Sequence, residues 1–173
     1  AFLHATQALK LFQDNGLLTG QARALNTIGW FHAQLGRNEE AVAFCESSLE
    51  VHRTADHTEG RAAALHTMGY ALHRLGHHHR ALTCFGDALD LFRELELRYF
   101  QGSTLDSIAD TLHATGWHAE ALATWQESLA ILEQLRHPDA DGVRAKLRTR
   151  APELGWVPGH QARSRTRANS EAP

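Results

Sequence analysis

The sequence predicts an all-α protein, a solenoid of stacked helix pairs. Three observations predict it. First, the 173-residue chain matches itself when shifted by 40 residues. Leu25, Leu65 and Leu105 coincide, as do Gly36, Gly76 and Gly116, then Ala41, Ala81 and Ala121, then Leu49, Leu89 and Leu129. Second, apolar residues recur at helical spacing, as in Leu25, Ile28, His32 and Leu35 or Leu65, Met68, Leu72 and Leu75. That is a period near 3.6, which excludes strands in the repeats. Third, small residues return at fixed positions in the middle of the helical patterns.

Each element follows in order. Ala1, Ala8 and Leu9 align with Ala41, Ser48 and Leu49, so residues 1–21 read as the second helix of a truncated preceding repeat plus a linker. Three full repeats follow without insertion at 22–61, 62–101 and 102–141. Within each, a first helix stops at Gly36, Gly76 or Gly116, where glycine takes the left-handed conformation that ends a helix. A second helix then carries Ala41, Cys45, Ser48 and Leu49, or Ala81, Phe85, Ala88 and Leu89. Gly29, Gly69 and Ala109 lie mid-helix, where glycine costs about 1 kcal/mol against alanine. A recurring cost of that kind predicts a close helix crossing, with Cys45, Phe85 and Trp125 filling the space beside it. A capping helix is expected at 142–151, with Val143 and Leu147 inward and Pro152 as its stop. Residues 152–173, rich in Arg, Ser and Asn, read as a disordered basic tail.

Composition excludes several classes. The chain is 43% hydrophobic and 21% charged with four prolines, which rules out collagen-like and wholly disordered readings. Its least polar stretch, 24–36, is interrupted by Asn26, Thr27, His32 and Gln34, and a membrane span needs roughly 20 apolar residues. Cys45 and Cys84 have no metal or redox spacing, which points to a reduced, cytoplasmic setting. Residues 1–141 carry a net charge of −8 and residues 142–173 one of +5. An acidic body argues against nucleic-acid binding by the repeats. Met68 is the sole methionine and the chain starts at Ala1, which predicts a piece of a longer protein. Arginine outnumbers lysine fifteen to two, as in chains from GC-rich, actinobacterial genomes.

The spacing Leu65, Met68–Gly69, Leu72, Ala81, Phe85 resembles the tetratricopeptide-repeat signature, and so do its counterparts from Leu25 to Cys45 and from Leu105 to Trp125. Two departures stand out. Arg53, Arg93 and Glu133 replace the closing proline, and the unit is six residues longer than the usual 34. The resemblance implies a right-handed superhelical solenoid of antiparallel helix pairs whose first helices line a concave groove. It implies a non-catalytic module that takes a protein or peptide there, with no cofactor and no resident metal. The groove positions are then Arg23, Asn26 and Trp30; His66, Tyr70, His73 and Arg74; and Asp106, Asp110 and His113. Trp30 and Tyr70 are equivalent, one repeat apart, and aromatic rings with polar tips suit a binding surface. The basic clamp by which some relatives hold carboxylates is not matched, because Asp106 and Asp110 stand where cations would be needed.

The 40-residue unit in an Arg-rich chain also looks like the C-terminal arm of large actinobacterial regulators, the Streptomyces antibiotic regulatory protein family and related signal-transduction ATPases. There such an arm senses a partner and restrains the rest. A stand-alone adaptor or signalling-peptide receptor is the alternative. A metal-responsive domain is the third reading, drawing on the run His77, His78, His79 and on His73, His113, Asp106 and Asp110. No G-x-S-x-G, H-E-x-x-H or phosphate-binding glycine loop is present, so no enzymatic constellation is expected. The apolar face of the first helix, with Leu9 and Phe12, is expected to be uncovered and to favour self-association.

Overall fold

A computed structural model describes residues 2–150. Among them are eight helices and no strand. They are α1 (Phe2–Asp14), α2 (Leu18–Gln34), α3 (Asn38–Thr54), α4 (Thr58–Arg74), α5 (His78–Glu94), α6 (Arg98–Ala114), α7 (His118–Gln134) and α8 (Asp139–Arg150). The basic tail and Trp156 lie outside the described residues.

Every connection is built the same way. Gly16, Gly36, Asp56, Gly76, Glu96, Gly116 and Arg136 all have positive φ, one every 20 residues. All but the Asp56 turn end a helix in a two-bond motif that satisfies the last carbonyls, and at Asp56 only the outer bond, from the His57 amide to the His52 carbonyl (3.2 Å), is made. After α2, the Gly36 amide donates to the Ala33 carbonyl (3.1 Å) and the Arg37 amide to the His32 carbonyl (2.9 Å). After α5, the Glu96 and Leu97 amides donate to the carbonyls of Arg93 (3.1 Å) and Phe92 (2.9 Å). Turns out of first helices use glycine. Turns out of α3, α5 and α7 force Asp, Glu and Arg into the left-handed region, which those residues visit at a cost.

Two boundaries differ from the sequence reading. First helices start at Leu18, Thr58 and Arg98, not at 22, 62 and 102. The N-cap residues of α2 and α6 are Leu17 and Leu97, which offer no side-chain cap and therefore no start signal. The capping helix begins at Asp139 rather than 142. Pro138 precedes it, a place where the missing N–H is no loss.

Packing follows the small residues. A Cβ added to Gly29 would sit 3.0 Å from Cys45 Sγ, and one on Gly69 would sit 2.8 Å from the Phe85 ring. Ala109 meets fully buried Trp125 in the same cluster. A second register, which the sequence reading did not single out, joins each second helix to the next first helix. A Cβ on Gly20 would lie 2.5 Å from the Phe12 ring, and one on Gly60 would lie inside the His52 imidazole. In α6 Phe100 replaces that glycine and stacks on Phe92 (centroids 5.0 Å apart). Hydrogen bonds repeat as well: the Ser48 hydroxyl donates to the Ala22 carbonyl (2.7 Å) and Ser128 to the Gly102 carbonyl (2.8 Å).

The helices form two layers. Successive first helices touch, α2 with α4 and α4 with α6, whereas α3, α5 and α7 make at most marginal contact with one another. The first-helix layer is therefore the inner side of the curve. That places side chains from α2, α4 and α6 on one shared face.

Candidate functional site: the inner face of α2, α4 and α6

The N-terminal half of this face is open. Trp30 is 38% exposed, and Tyr70 lies beside it with ring centroids 5.4 Å apart. The pair bridges α2 and α4 because equivalent residues of successive first helices meet. Asn26 lies one turn before Trp30, half-buried, and its Oδ1 faces the Cys45 thiol at 3.9 Å. Arg23 and Arg74 are exposed.

The C-terminal half is closed. Asp106 and Asp110 do not present free carboxylates, as the sequence reading expected. Lys146 of α8 reaches both, at 2.7 Å each, and Arg150 approaches Asp110 at 3.8 Å. By register Lys146 follows Asp106, and Arg150 follows Asp110, one repeat on. The Arg150 guanidinium also lies over the Trp125 ring at 5.2 Å. Burial pushes the Asp106 carboxyl up, and the Lys146 ammonium opposes that rise.

The histidines divide. His66 packs on Phe85 (5.5 Å), and burial pushes its imidazole down to about 4. It is a wall of the layer rather than an open groove donor. His73 faces Thr111 Oγ1 at 3.0 Å. Thr111 spends its proton on the Ser107 carbonyl (2.8 Å), so His73 Nδ1 carries the proton between them. Burial, then neighbouring His78, lowers the His73 pKa. His113 turns to His118 (Nδ1 to Nδ1 3.3 Å) and to Trp125. His73 and His113 each face a histidine of the next helix, and both aspartates hold Lys146. Among the described residues no group of three or more His, Cys, Asp or Glu side chains is arranged to hold a metal.

A cleft of about 250 Å³ opens at the N-terminal ends of α2 and α4, lined by Arg23, Asn26, Thr27, His52, His57 and Glu59. His52, His57 and Glu59 are not among the positions the sequence reading chose. His52 sits on a second helix at a place held by Phe12 and Phe92 in neighbouring repeats, so it reads from sequence as core. It is 0% exposed, and neither ring nitrogen has a partner among the described residues. Burial, then His57 and Arg23, pushes its imidazole down to about 4. His57 stacks on it (5.2 Å) and caps α4, its Nδ1 accepting from the Gly60 amide at 2.9 Å.

The cysteines offer no nucleophile. Both are buried, and burial pushes the Cys45 thiol up to about 12. A groove of about 590 Å³ between α1 and α2 is lined by Ala5, Ala8, Phe12, Gly20 and Phe31. Its counterpart between α3 and α4 is filled by α2. No described helix is long and apolar enough to cross a membrane.

These features define a tetratricopeptide-like helical solenoid with an inner face half open and half sealed. The family comparison agrees. A tetratricopeptide-repeat family model matches residues 20–94. A Rap protein complexed with competence and sporulation factor superposes with a TM-score of 0.80 at 19% identity, over 89% of this chain and 42% of that one. The chain thus spans less than half the length of that protein. A tetratricopeptide-like protein from Chlorobium tepidum TLS superposes with a TM-score of 0.66 at 21% identity, over 89% of this chain and 98% of that one. No curated protein sequence matches the chain. Likeness at these identities establishes the fold.

Proposed function

We propose that the chain is a non-catalytic recognition module that holds a peptide, or an extended segment of a partner protein, on the inner face of α2 and α4. The Trp30–Tyr70 pair carries this reading. Two large rings stand partly exposed beside each other, at the centre of the only half of the face that α8 leaves open among the described residues. Aromatic anchors of this kind bury much area at small entropic cost. Asn26, one turn away, is placed to bond a peptide backbone. The Rap protein, seen with competence and sporulation factor on a similar scaffold, supports a peptide-sized occupant.

The larger setting we infer is the sensor arm of a bacterial regulator. The uncovered apolar residues of α1 and its turn, Phe2, Leu3, Leu11 and Leu17, support continuation of the stack beyond these repeats or self-association there. A free adaptor is the competing reading, and the coding sequence around this segment separates the two.

The test uses peptides selected from a displayed random library against the folded chain. Trp30→Ala with Tyr70→Ala is expected to weaken them about 30-fold or more, the effect of losing a hot spot worth about 2 kcal/mol. Helicity should not change, because neither ring is fully buried. Unchanged affinity in the double variant refutes the assignment.

A further inference from the structure

The junction between α3 and α4 departs from its neighbours at one residue. Gln21 and Gln101 share a register two repeats apart, and each spends its side-chain amide on the second helix behind it. Gln21 Nε2 donates to the Phe12 carbonyl (3.2 Å) and Gln101 Nε2 to the Phe92 carbonyl (3.0 Å). Arg61 holds that register in between and makes no such bond. Its half-buried side chain instead lines a cleft of about 450 Å³ that opens outward between α3 and α5. Those two helices barely touch, so α4 forms the floor.

The cleft carries both signs of charge. Arg53 comes from α3 and Arg61 from α4, against Asp87 and Asp90 from α5. Arg53 is taken up by Glu50 at 2.7 Å, and Asp90 leans to Arg93 at 3.8 Å. That leaves half-buried Arg61 and exposed Asp87, neither of which makes an ion pair or a side-chain hydrogen bond among the described residues. They line one cleft and stand too far apart to pair. One repeat on, the equivalent cleft between α5 and α7 is bridged: Arg93 reaches Glu127 at 3.2 Å, and Arg98 reaches Gln134 at 3.3 Å. Among the described residues the one ion pair that spans α3 and α5, Arg80 with Glu46 at 4.0 Å, lies outside the cleft walls. Leu49, Leu65 and Leu91, each partly buried, make the open cleft apolar between its charges.

We propose that this cleft binds a free α-amino acid with an aliphatic side chain, its carboxylate on Arg61, its ammonium on Asp87 and its side chain on the three leucines. A guanidinium takes a carboxylate through a two-bond fork. The unpaired charges are balanced, one of each sign, so a ligand that is neutral overall leaves neither unmatched. An anion would meet Asp87 and Asp90, and a cation would meet Arg53 and Arg61. Exposed ion pairs are individually worth little, so both charges and the apolar contact act together. A residue inside a peptide carries neither backbone charge and a chain end carries one, which leaves the free amino acid as the ligand with both. The site lies on the outer layer and does not rest on the peptide assigned to α2 and α4.

The experiment follows backbone amide signals by NMR during separate titrations with leucine, N-acetylleucine, leucinamide and glycine. Leucine should give saturable shifts at Arg61, Leu65, Asp87 and Leu91, in the millimolar range expected of so small a ligand. N-acetylleucine lacks the ammonium and leucinamide the carboxylate, and each should bind about tenfold more weakly or worse. Glycine should also bind about tenfold more weakly, for want of the apolar contact. Arg61→Gln installs the residue found at positions 21 and 101, so it keeps the fold. It should abolish the leucine response, and so should Asp87→Asn. The amides of Glu127 and Ile131, in the bridged cleft, should not move. The absence of saturable leucine shifts overturns the proposal, as does an intact response in Arg61→Gln. N-acetylleucine, leucinamide or glycine matching leucine overturns it too, and so do leucine shifts confined to the inner face.

Discussion

Gly69→Ala isolates the packing rule that builds this solenoid. In an unhindered helix interior, the change from glycine to alanine stabilises by about 1 kcal/mol. At Gly69 the new Cβ would lie 2.8 Å from two carbons of the Phe85 ring. That ring is 1% exposed and belongs to the cluster with Leu72, Ala81 and Cys84, so it has no free end to swing away. Overpacking of this sort costs about 1–3 kcal/mol. The net expectation is a loss of about 0–2 kcal/mol where propensity alone predicts a gain. Gly86, in α5, provides the control. A Cβ there meets nothing within 4 Å, and Gly86→Ala should stabilise by about 1 kcal/mol. Urea unfolding followed by far-ultraviolet circular dichroism reads both. Adding Phe85→Leu supplies the third arm: in that background Gly69→Ala should recover its propensity gain, with a coupling of about 1–3 kcal/mol. If Gly69→Ala stabilises as much as Gly86→Ala, or if no coupling to Phe85 appears, the close crossing is wrong.

Other predictions are briefer. His52 and His66, held down to about 4, are neutral in the fold and protonate near 6.5 when unfolded. Their contribution is therefore present above pH 6.5 and lost as pH falls to 4, by about 3 kcal/mol each. Asp106, raised by burial, works in the opposite direction. His52→Phe should flatten that acid loss by about half and raise stability at pH 7 by about 1–3 kcal/mol, since it removes two unpartnered nitrogens. A melting series from pH 7.5 to about 4 checks both, and an unchanged slope in His52→Phe contradicts the buried, neutral imidazole. Lys146→Met leaves Asp106 and Asp110 facing each other with only the longer Arg150 contact to Asp110 (3.8 Å) beside them. It should cost about 1–3 kcal/mol and loosen α8 first, seen as faster amide exchange there. Uniform exchange across α8 and α2 would contradict the sealing contact.

Much of the fold is legible in the sequence because its cause is periodic. Gly36, Gly76 and Gly116 announce first-helix ends, and Gly29, Gly69 and Ala109 announce the crossing. The other turns are hidden, since Asp56, Glu96 and Arg136 enter the left-handed region for the sake of continuing the stack and carry no glycine to say so. First-helix starts are hidden for a related reason: Leu17 and Leu97 cap nothing. The inner face is legible by register, and Trp30 and Tyr70 do meet. What register alone does not show is the partner brought by another element. Asp106 and Asp110 look like groove residues until α8 arrives with Lys146. His52 looks like core by register, and only the structure shows that its ring packs against the bare backbone of Gly60 in the next helix. A glycine at the position where Gly20 recurs, opposite a histidine among phenylalanines, is the signal that would have found it.

The central claim is that ligand binds the inner face of α2 and α4. A photoreactive residue at position 27 or 63 on that face, and another at position 47 on the outer face of α3, tests it most directly with a selected peptide. The account predicts peptide crosslinks from positions 27 and 63, suppressed when Trp30→Ala and Tyr70→Ala are present, and none from position 47. Crosslinks concentrated at position 47 would place recognition on the outer helices and contradict it.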